Sequence, residues 1–331
     1  MTYLTNKAYA PVLFAMDLLG KALFMFKKRR SVPEKMRKAL FIRLEHIGDI
    51  IMASPAFESW KRSHPGCEVH VLCRKLTAPL LENNPFVDKT ITYEAPWFTR
   101  RGKGSKSLFS LLGELRKEKY DIVFEMHGDS RNNYIAWKTG AYSVGYGCRG
   151  GGFFLDEVVP YSGKLQMVRQ NLLLVKKYCP SATQKTKLYS DNVAVKECGT
   201  LMKRYGLRRN RFIILHPGSG RNEKDLTDAE VEEFIKRGLK SGKYKIVLTG
   251  SNEELGRNRE LAKRNNLIEL TGKTSLLCLV ELVRNAKKVI APDTSVIHIA
   301  RAVGTAYKAV YKTTDEKIWG YPDRLSQERT S

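Results

Sequence analysis

Three stretches of this chain run from an apolar strand straight into a turn of small and polar residues that opens a helix. Ala39-Leu-Phe-Ile-Arg-Leu44 passes into Glu-His-Ile-Gly48-Asp49 near the front, and Phe212-Ile-Ile-Leu215 passes into His216-Pro-Gly-Ser-Gly220 near the back. Val289-Ile-Ala-Pro-Asp293-Thr-Ser-Val-Ile-His298 makes the same crossing further on. A strand that is apolar on both faces belongs inside a parallel sheet covered by helices. Where it hands its C-terminal turn to a helix, unpaired N–H groups and the positive end of the helix dipole meet, so each crossing is a candidate anion site. Their placement in separate halves predicts a cleft between two domains.

The pattern around these crossings alternates strand and helix. Strands are predicted over 39–44, 68–72, 89–93 and 121–124, with helices over 50–63, 108–119 and 131–138. A helix over 166–178 ends at Cys179-Pro180, and a polar stretch follows it. From Arg211 the alternation restarts, with strands over 212–215, 245–248, 268–270 and 288–291 and helices over 228–241, 253–264, 276–285 and 295–303. At 331 residues the chain is long for one core. The organisation predicted is α/β, two Rossmann-like doubly wound parallel-sheet domains facing a cleft. Their bounds are an N-terminal segment over 1–38, a first domain over 39–185, a linker over 186–210 and a second domain over 211–331.

The formal net charge of +24 predicts attraction to something anionic: nucleic acid, an acidic lipid surface or a phosphorylated substrate. The six cysteines are scattered without a CxxC pair or a histidine at ligand spacing, which argues for reduced cytoplasmic thiols and against a disulfide framework or a zinc site. No nucleic-acid-binding motif or aromatic-basic platform is present, so nucleic acid is not the expected partner.

Residues 10–26 are apolar but broken by Asp17 and Lys21, too short to span a bilayer, and followed rather than preceded by Lys27-Lys-Arg-Arg30. As a helix this run joins Asp17 and Lys21 on one face and leaves a stripe of Leu13, Met16, Leu19, Leu23 and Phe26. Two readings follow: a helix in the membrane interface with the basic cluster on anionic headgroups, or a helix docked on the protein body. The first accounts for both features.

Several residues at the crossings can carry chemistry. Gly48 lets the backbone turn sharply before Asp49, a carboxylate placed to accept a proton from an attacking hydroxyl; helix capping is the competing role for Asp49. Gly218, Ser219 and Gly220 let amides approach a ligand closely, and Lys224 supplies a point charge for phosphate, although neither a Walker A nor a G-x-G-x-x-G spacing is present. Asp293 can bond sugar hydroxyls, with Thr294 and Ser295 holding a pyrophosphate. His298 reads first as a structural histidine in a helix packed on the sheet, and stands as a donor-side candidate by position. Glu254 can bind a ribose diol or serve as a first-turn helix charge. Arg131, Arg149 and Arg101, the last within the basic loop 100–106, can meet carboxylates or phosphates of an anionic ligand or remain solvated.

Phe41-Ile-Arg-Leu-Glu-His-Ile-Gly-Asp-Ile-Ile-Met-Ala-Ser-Pro55, Ser63-His-Pro65, His216-Pro-Gly-Ser-Gly with Lys224, and Asp293-Thr-Ser-Val-Ile-His-Ile-Ala300 with Gly304 together resemble glycosyltransferase family 9, the lipopolysaccharide heptosyltransferases. The resemblance runs in order from about Ala39 to Thr314. It implies a GT-B fold and metal-independent, inverting transfer from a nucleotide-sugar donor, commonly ADP-heptose, to a lipopolysaccharide core glycolipid. That reaction would belong to a peripheral protein on the inner face of the cytoplasmic membrane. It also implies that Asp49 is the general base, that Lys224 meets the donor diphosphate or sugar, that Asp293, Thr294 and Ser295 bind donor sugar and phosphates, and that Thr274 lies near the base of the nucleotide. Cofactors are not expected, with the nucleotide sugar as substrate. Ser295 stands where the family usually has glycine, and Lys308 and Lys312 stand where it tends to be apolar or glycine. Those departures keep a catalytically silent scaffold at the membrane in view as the competing class.

Overall fold

The computed structural model describes residues 10–98, 106–220, 222–239 and 242–321. Two compact units divide the chain, Met1–Gln184 and Lys185–Ser331.

Unit 1 opens with helix α1 (Ala10–Leu23) and then builds a parallel sheet from β1 (Lys38–Ile42), β2 (Glu68–Cys73), β3 (Lys89–Thr92), β4 (Ile122–Glu125), β5 (Tyr142–Gly145) and β6 (Glu157–Val158). The strand order is β3-β2-β1-β4-β5-β6, so the sheet winds outward in both directions from β1 and β4. Register follows from apolarity: Ala39 sits between Val69 and Ile122, and Phe41 between Val71 and Phe124, all fully buried. The connecting helices are α2 (Ile47–Ser63), α3 (Pro79–Glu82), α4 (Leu108–Lys117), α5 (Ser130–Lys138) and α6 (Met167–Val175). Helix α2 is buried along most of its length and tolerates Pro55 because a neighbour replaces the missing donor. Proline cannot bond the Ile51 carbonyl, and the Ser54 hydroxyl does so at 2.8 Å.

Helix α1 docks on the body of unit 1 through its polar side and leaves its apolar stripe outward. Asp17 accepts the Gly151 N–H at 2.8 Å. A Cβ on Gly20 would meet the Phe153 ring at 2.1 Å, so glycine alone permits that approach. Phe24 packs against Trp137, Phe153 and Phe154. Beyond the helix, Lys27 and Arg30 reach the buried Asp156 carboxylate at 3.5 and 3.0 Å. Half of the basic cluster therefore ties the segment down, while Lys28 and Arg29 stay exposed. The apolar residues face outward: Phe14, Met16, Leu18, Leu19, Leu23 and Phe26 are all exposed, Phe26 at 89%. The side chain of Leu13 lies outside the described residues. No helix among the described residues is long and apolar enough to cross a membrane.

Unit 2 begins with α7 (Asn192–Arg204), which occupies the stretch expected as a linker. Asp191 caps it by accepting the Ala194 N–H at 2.7 Å, but only Ala194 and Cys198 are buried along it, too few to write a helical period into the sequence. The parallel sheet holds β7 (Phe212–Leu215), β8 (Lys245–Leu248), β9 (Ile268–Glu269), β10 (Lys288–Pro292) and β11 (Ala306–Val310), in the order β11-β10-β7-β8-β9. Helices α8 (Asp228–Leu239), α9 (Leu255–Asn265), α10 (Leu276–Asn285), α11 (Ser295–Val303) and the short α12 (Glu316–Trp319) complete it. The six cysteines are free and buried.

Both sheets reverse direction at one place, between β1 and β4 in unit 1 and between β7 and β10 in unit 2. In open α/β sheets ligands bind beyond the carboxyl ends of the strands at such a reversal.

Candidate active site

In unit 1 the carboxyl ends of β1 and β4 gather a buried charge cluster around Asp49. His46 takes an extended conformation at the N-cap of α2, and its N–H donates to Asp49 Oδ2 at 3.1 Å. Asp49 Oδ1 accepts from Arg43 Nη2 at 3.0 Å, so both capping and a charge pair fix the rotamer. A carboxylate offers about four lone-pair positions, and the Asp49 side chain keeps 13% of its surface open. Gly48 already lies inside the first helical turn without a left-handed φ, so the sharp turn expected of it is made by His46.

Arg43 is 2% exposed and works in three directions. Besides Asp49 it donates to the Met126 carbonyl and places Nε 3.1 Å from Glu45 Oε2. Glu45 Oε1 in turn lies 3.0 Å from His127 Nδ1, and Arg149 contacts the other ring nitrogen of His127. Burial pushes the Glu45 carboxyl up to about 7 against the opposing pull of Arg43. Burial, then the Glu45 charge, pushes Glu125 up to about 8, although Glu125 accepts the Gly128 and His127 N–H groups at 2.6 and 3.0 Å. His127 is driven well below the usual imidazole range by burial and next by Arg149. Arg149 is thus engaged with His127, and Arg131 is held by Asp129 through Nε at 2.8 Å and Nη2 at 2.7 Å, with its guanidinium 5.0 Å over Trp97. Arg101 lies outside the described residues.

In unit 2 the ends of β7 and β10 bring Lys224 and Asp293 together, Nζ to Oδ2 at 3.2 Å. Thr314 donates to the same oxygen at 2.7 Å. His298 is buried, with Nδ1 2.9 Å from the Tyr321 hydroxyl and Nε2 3.9 Å from Asp293 Oδ1, which places it as a support for Asp293. Thr294 is the N-cap of α11 in an extended conformation and caps no amide with its side chain, and its carbonyl accepts the Ile297 N–H at 3.0 Å; a helix start of this kind is suited to an anion at its first amides.

The glycine loop is built around Glu254. A Cβ on Gly218 would fall 1.0 Å from Glu254 Oε1, and one on Gly250 would fall 2.7 Å from Oε2. Gly220 takes a left-handed φ of 69°. Glu254 Oε2 accepts the Ser251 N–H at 2.6 Å, whereas Oε1 is buried with no hydrogen-bond partner. A buried acceptor left open costs free energy that a ligand hydroxyl recovers. Ser219 donates to Asp225 at 2.7 Å, and Thr274 stands one residue ahead of Ser275, the N-cap of α10. Among the described residues no group of three His, Cys, Asp or Glu is placed to hold a metal ion.

The description "Glycosyltransferase family 9 (heptosyltransferase)" matches residues 108–329. The chain belongs to glycosyltransferase family 9. It is 24% identical over 287 residues to an Escherichia coli protein named lipopolysaccharide heptosyltransferase 3, covering 82% of each chain. Among solved structures it resembles a glycosyl transferase family 9 protein from Veillonella parvula with a TM-score of 0.76 at 19% identity, over 88% of this chain and 84% of that one. The E. coli ADP-heptose lps heptosyltransferase II superimposes with a TM-score of 0.71 at 19% identity, over 88% of each. The fold is accordingly of the GT-B type, two doubly wound parallel-sheet units.

The departures from the usual pattern of glycosyltransferase family 9 have structural uses here. Lys308 lies over the Phe234 ring at 5.0 Å, and Lys312 bonds the Asp225 carbonyl and Glu230 at 2.8 and 2.7 Å. Arg43, Glu45, Glu125 and His127 were not singled out by the sequence reading. Their signal was present: charged residues at the carboxyl end of an all-apolar strand have no structural place unless something there is charged in return.

Proposed function

We propose that this chain transfers a heptose from ADP-heptose to a lipopolysaccharide core glycolipid, with inversion at the anomeric carbon and without a metal ion. What carries the reading is the position of Asp49. It stands at the reversal of the first sheet, oriented by Arg43 and the His46 N–H, and remains partly open. In the proposed step the acceptor hydroxyl gives its proton to Asp49 as its oxygen attacks the anomeric carbon from the face opposite the leaving group. The C–O bond to the diphosphate breaks, and ADP leaves with the electron pair.

The residues of unit 2 suit the donor. Lys224 and the first-turn amides of α11 meet the diphosphate charge that grows as the bond breaks, a task otherwise given to a divalent cation. Asp293 serves the sugar hydroxyls, and the open Glu254 oxygen serves the ribose diol beside the Gly218 loop. Thr274 is assigned to the nucleotide base. On the acceptor side Gly48 leaves room beside Asp49, and Arg131, Arg149 and Arg101 answer the anionic groups of the glycolipid. The names of the relatives support heptose, ADP and lipopolysaccharide as substrate classes.

The same reading makes the protein peripheral on the inner face of the cytoplasmic membrane. The outward apolar face of α1, with Lys28 and Arg29 beside it, has the composition of an interfacial helix.

Asp49→Ala is expected to abolish ADP release from ADP-heptose, while ADP still raises the thermal midpoint because nucleotide binding rests on unit 2. Unchanged turnover in that variant would remove Asp49 from the role. Wild-type turnover should persist in EDTA. Phe14→Glu combined with Leu18→Glu should lose co-sedimentation with vesicles containing phosphatidylglycerol; retained binding would contradict the role given to α1.

A further inference from the structure

Beside the Asp49 cluster, unit 1 contains a groove that the transfer step leaves unused. It has a volume of about 240 Å³ and is walled by Met16 of α1, Trp97, Leu108, Tyr134, Phe153 and Phe154. Its polar lining is Arg131, stacked over Trp97 at 5.0 Å, together with Asp17 and Ser130. A short relay of contacts joins it to the proposed base. Trp97 and Phe98 have ring centres 6.4 Å apart, and Phe98 and His127 5.4 Å. His127 then meets Glu45 at 3.0 Å, Glu45 meets Arg43 at 3.1 Å, and Arg43 meets Asp49 at 3.0 Å.

Three observations define what fits there. Met16 belongs both to the groove wall and to the outward apolar face of α1, so the groove opens onto the surface assigned to the bilayer. Aromatic and aliphatic walls with the Arg131 guanidinium at one edge complement an apolar chain joined to a polar, anionic head. The Trp97 indole N–H, in one wall, is buried with no hydrogen-bond partner. An indole is a donor only, and a buried donor calls for an acceptor. A bare hydrocarbon cannot supply one, whereas an ester- or amide-linked chain brings a carbonyl.

We propose that this groove takes one acyl chain of the anionic glycolipid acceptor, with its linking carbonyl on the Trp97 N–H and its negative groups under Arg131. The proposal rests on the acceptor reading above. Holding one chain on the protein keeps the sugar end of the lipid beside Asp49 while the remainder stays in the bilayer.

The test uses the full chain and lysophosphatidic acids of graded acyl length, below their micelle concentrations, read by tryptophan fluorescence. Each methylene moved from water into an apolar groove is worth up to about a fourfold gain in affinity. Affinity should therefore climb with chain length and level off once the groove is full. Met16→Glu and Leu108→Glu should each weaken lauroyl lysophosphatidic acid at least about tenfold, with ADP still raising the thermal midpoint. Met16 is 53% exposed, so that change leaves the core intact.

Affinity indifferent to chain length, or unaffected by either variant, overturns the proposal. So does a loss of binding that follows a change in oligomeric state, since a second copy would then be the occupant. Chain-length-dependent binding with no turnover of any nucleotide heptose sinks the acceptor reading and leaves a lipid groove. Turnover that treats acylated and deacylated acceptors alike sinks the groove and leaves the transferase.

Discussion

The reversal points of the two sheets share a topology and differ in how much of their chemistry is already satisfied. In unit 1 the side chain that matters is held on every side. Asp49 is fixed by Arg43 and His46, Arg43 is balanced by Glu45, and Glu45 is backed by His127 and Arg149. In unit 2 the functional groups are left open, with an unpartnered Glu254 oxygen, uncapped amides at α11 and a single ion pair between Lys224 and Asp293. A group that must take a proton along one line needs its geometry set before the substrate arrives. A surface that binds a polyanion needs donors and acceptors that the free protein has not consumed. The contrast suits the proposed division, with catalysis at the first region and donor binding at the second.

The largest effect should come from cutting the support of Asp49. Arg43→Met leaves Glu45 buried without its cation, which costs about 3–5 kcal/mol of stability, and misplaces Asp49 enough to lower turnover by about 10²-fold. The loss of stability should shrink as pH falls through about 7, where Glu45 takes up a proton. A variant that melts normally and turns over at full rate would show that the packed cluster is incidental to catalysis. Next, Lys224→Ala removes one charge-assisted contact, worth about 1.5–3 kcal/mol, and should weaken ADP by about 10- to 150-fold in calorimetric titration. Equal loss of turnover at saturating donor would instead move Lys224 to the catalytic side of the comparison.

A pH series sharpens the contrast further. Glu125 is pushed up to about 8 in the folded protein from an ordinary value of 4.5, mainly by burial. Its raised value contributes stability that is fully present below pH 4.5 and is lost as pH rises toward 8. The wild-type midpoint should therefore fall between pH 4.5 and 8 and level off above, and Glu125→Gln should flatten that fall. An identical profile in the variant would mean that the carboxyl titrates as it does in the unfolded chain. The smallest effect is expected at Lys312→Ala, under about 1 kcal/mol, with donor affinity intact because its bonds to Asp225 and Glu230 are peripheral.

How much of this was legible in sequence depended on apolar continuity. The central strands of both sheets are uninterrupted apolar runs and declare themselves. Strand β5 contains Tyr142, Ser143 and Gly145, β11 carries Lys308 at its centre, and helix α7 buries only Ala194 and Cys198, so none of the three shows a period to find. At the sites, Asp49, Lys224 and Asp293 stand next to small residues that mark a turn. Glu125 ends an apolar strand, and His127 follows it in a loop without a pattern; both acquire meaning only when β1 and β4 lie side by side. The two-faced character of α1, Asp17 and Lys21 on one side and an apolar stripe on the other, was legible in sequence; the contacts that dock its polar side on the body were not. The deciding contacts, Gly20 against Phe153 and Asp17 on Gly151, join residues more than a hundred positions apart.

That separation fixes an order of events during synthesis. The Gly151 amide that holds α1 follows Asp17 by 134 residues. At about 5–20 residues per second, α1 leaves the ribosome on the order of ten seconds before its anchor is made. Throughout that interval both of its faces, the one that later packs on Phe153 and the one that stays open, are available to the bilayer or to a chaperone. A nascent chain thus meets its surroundings through α1 before it has a body to dock against.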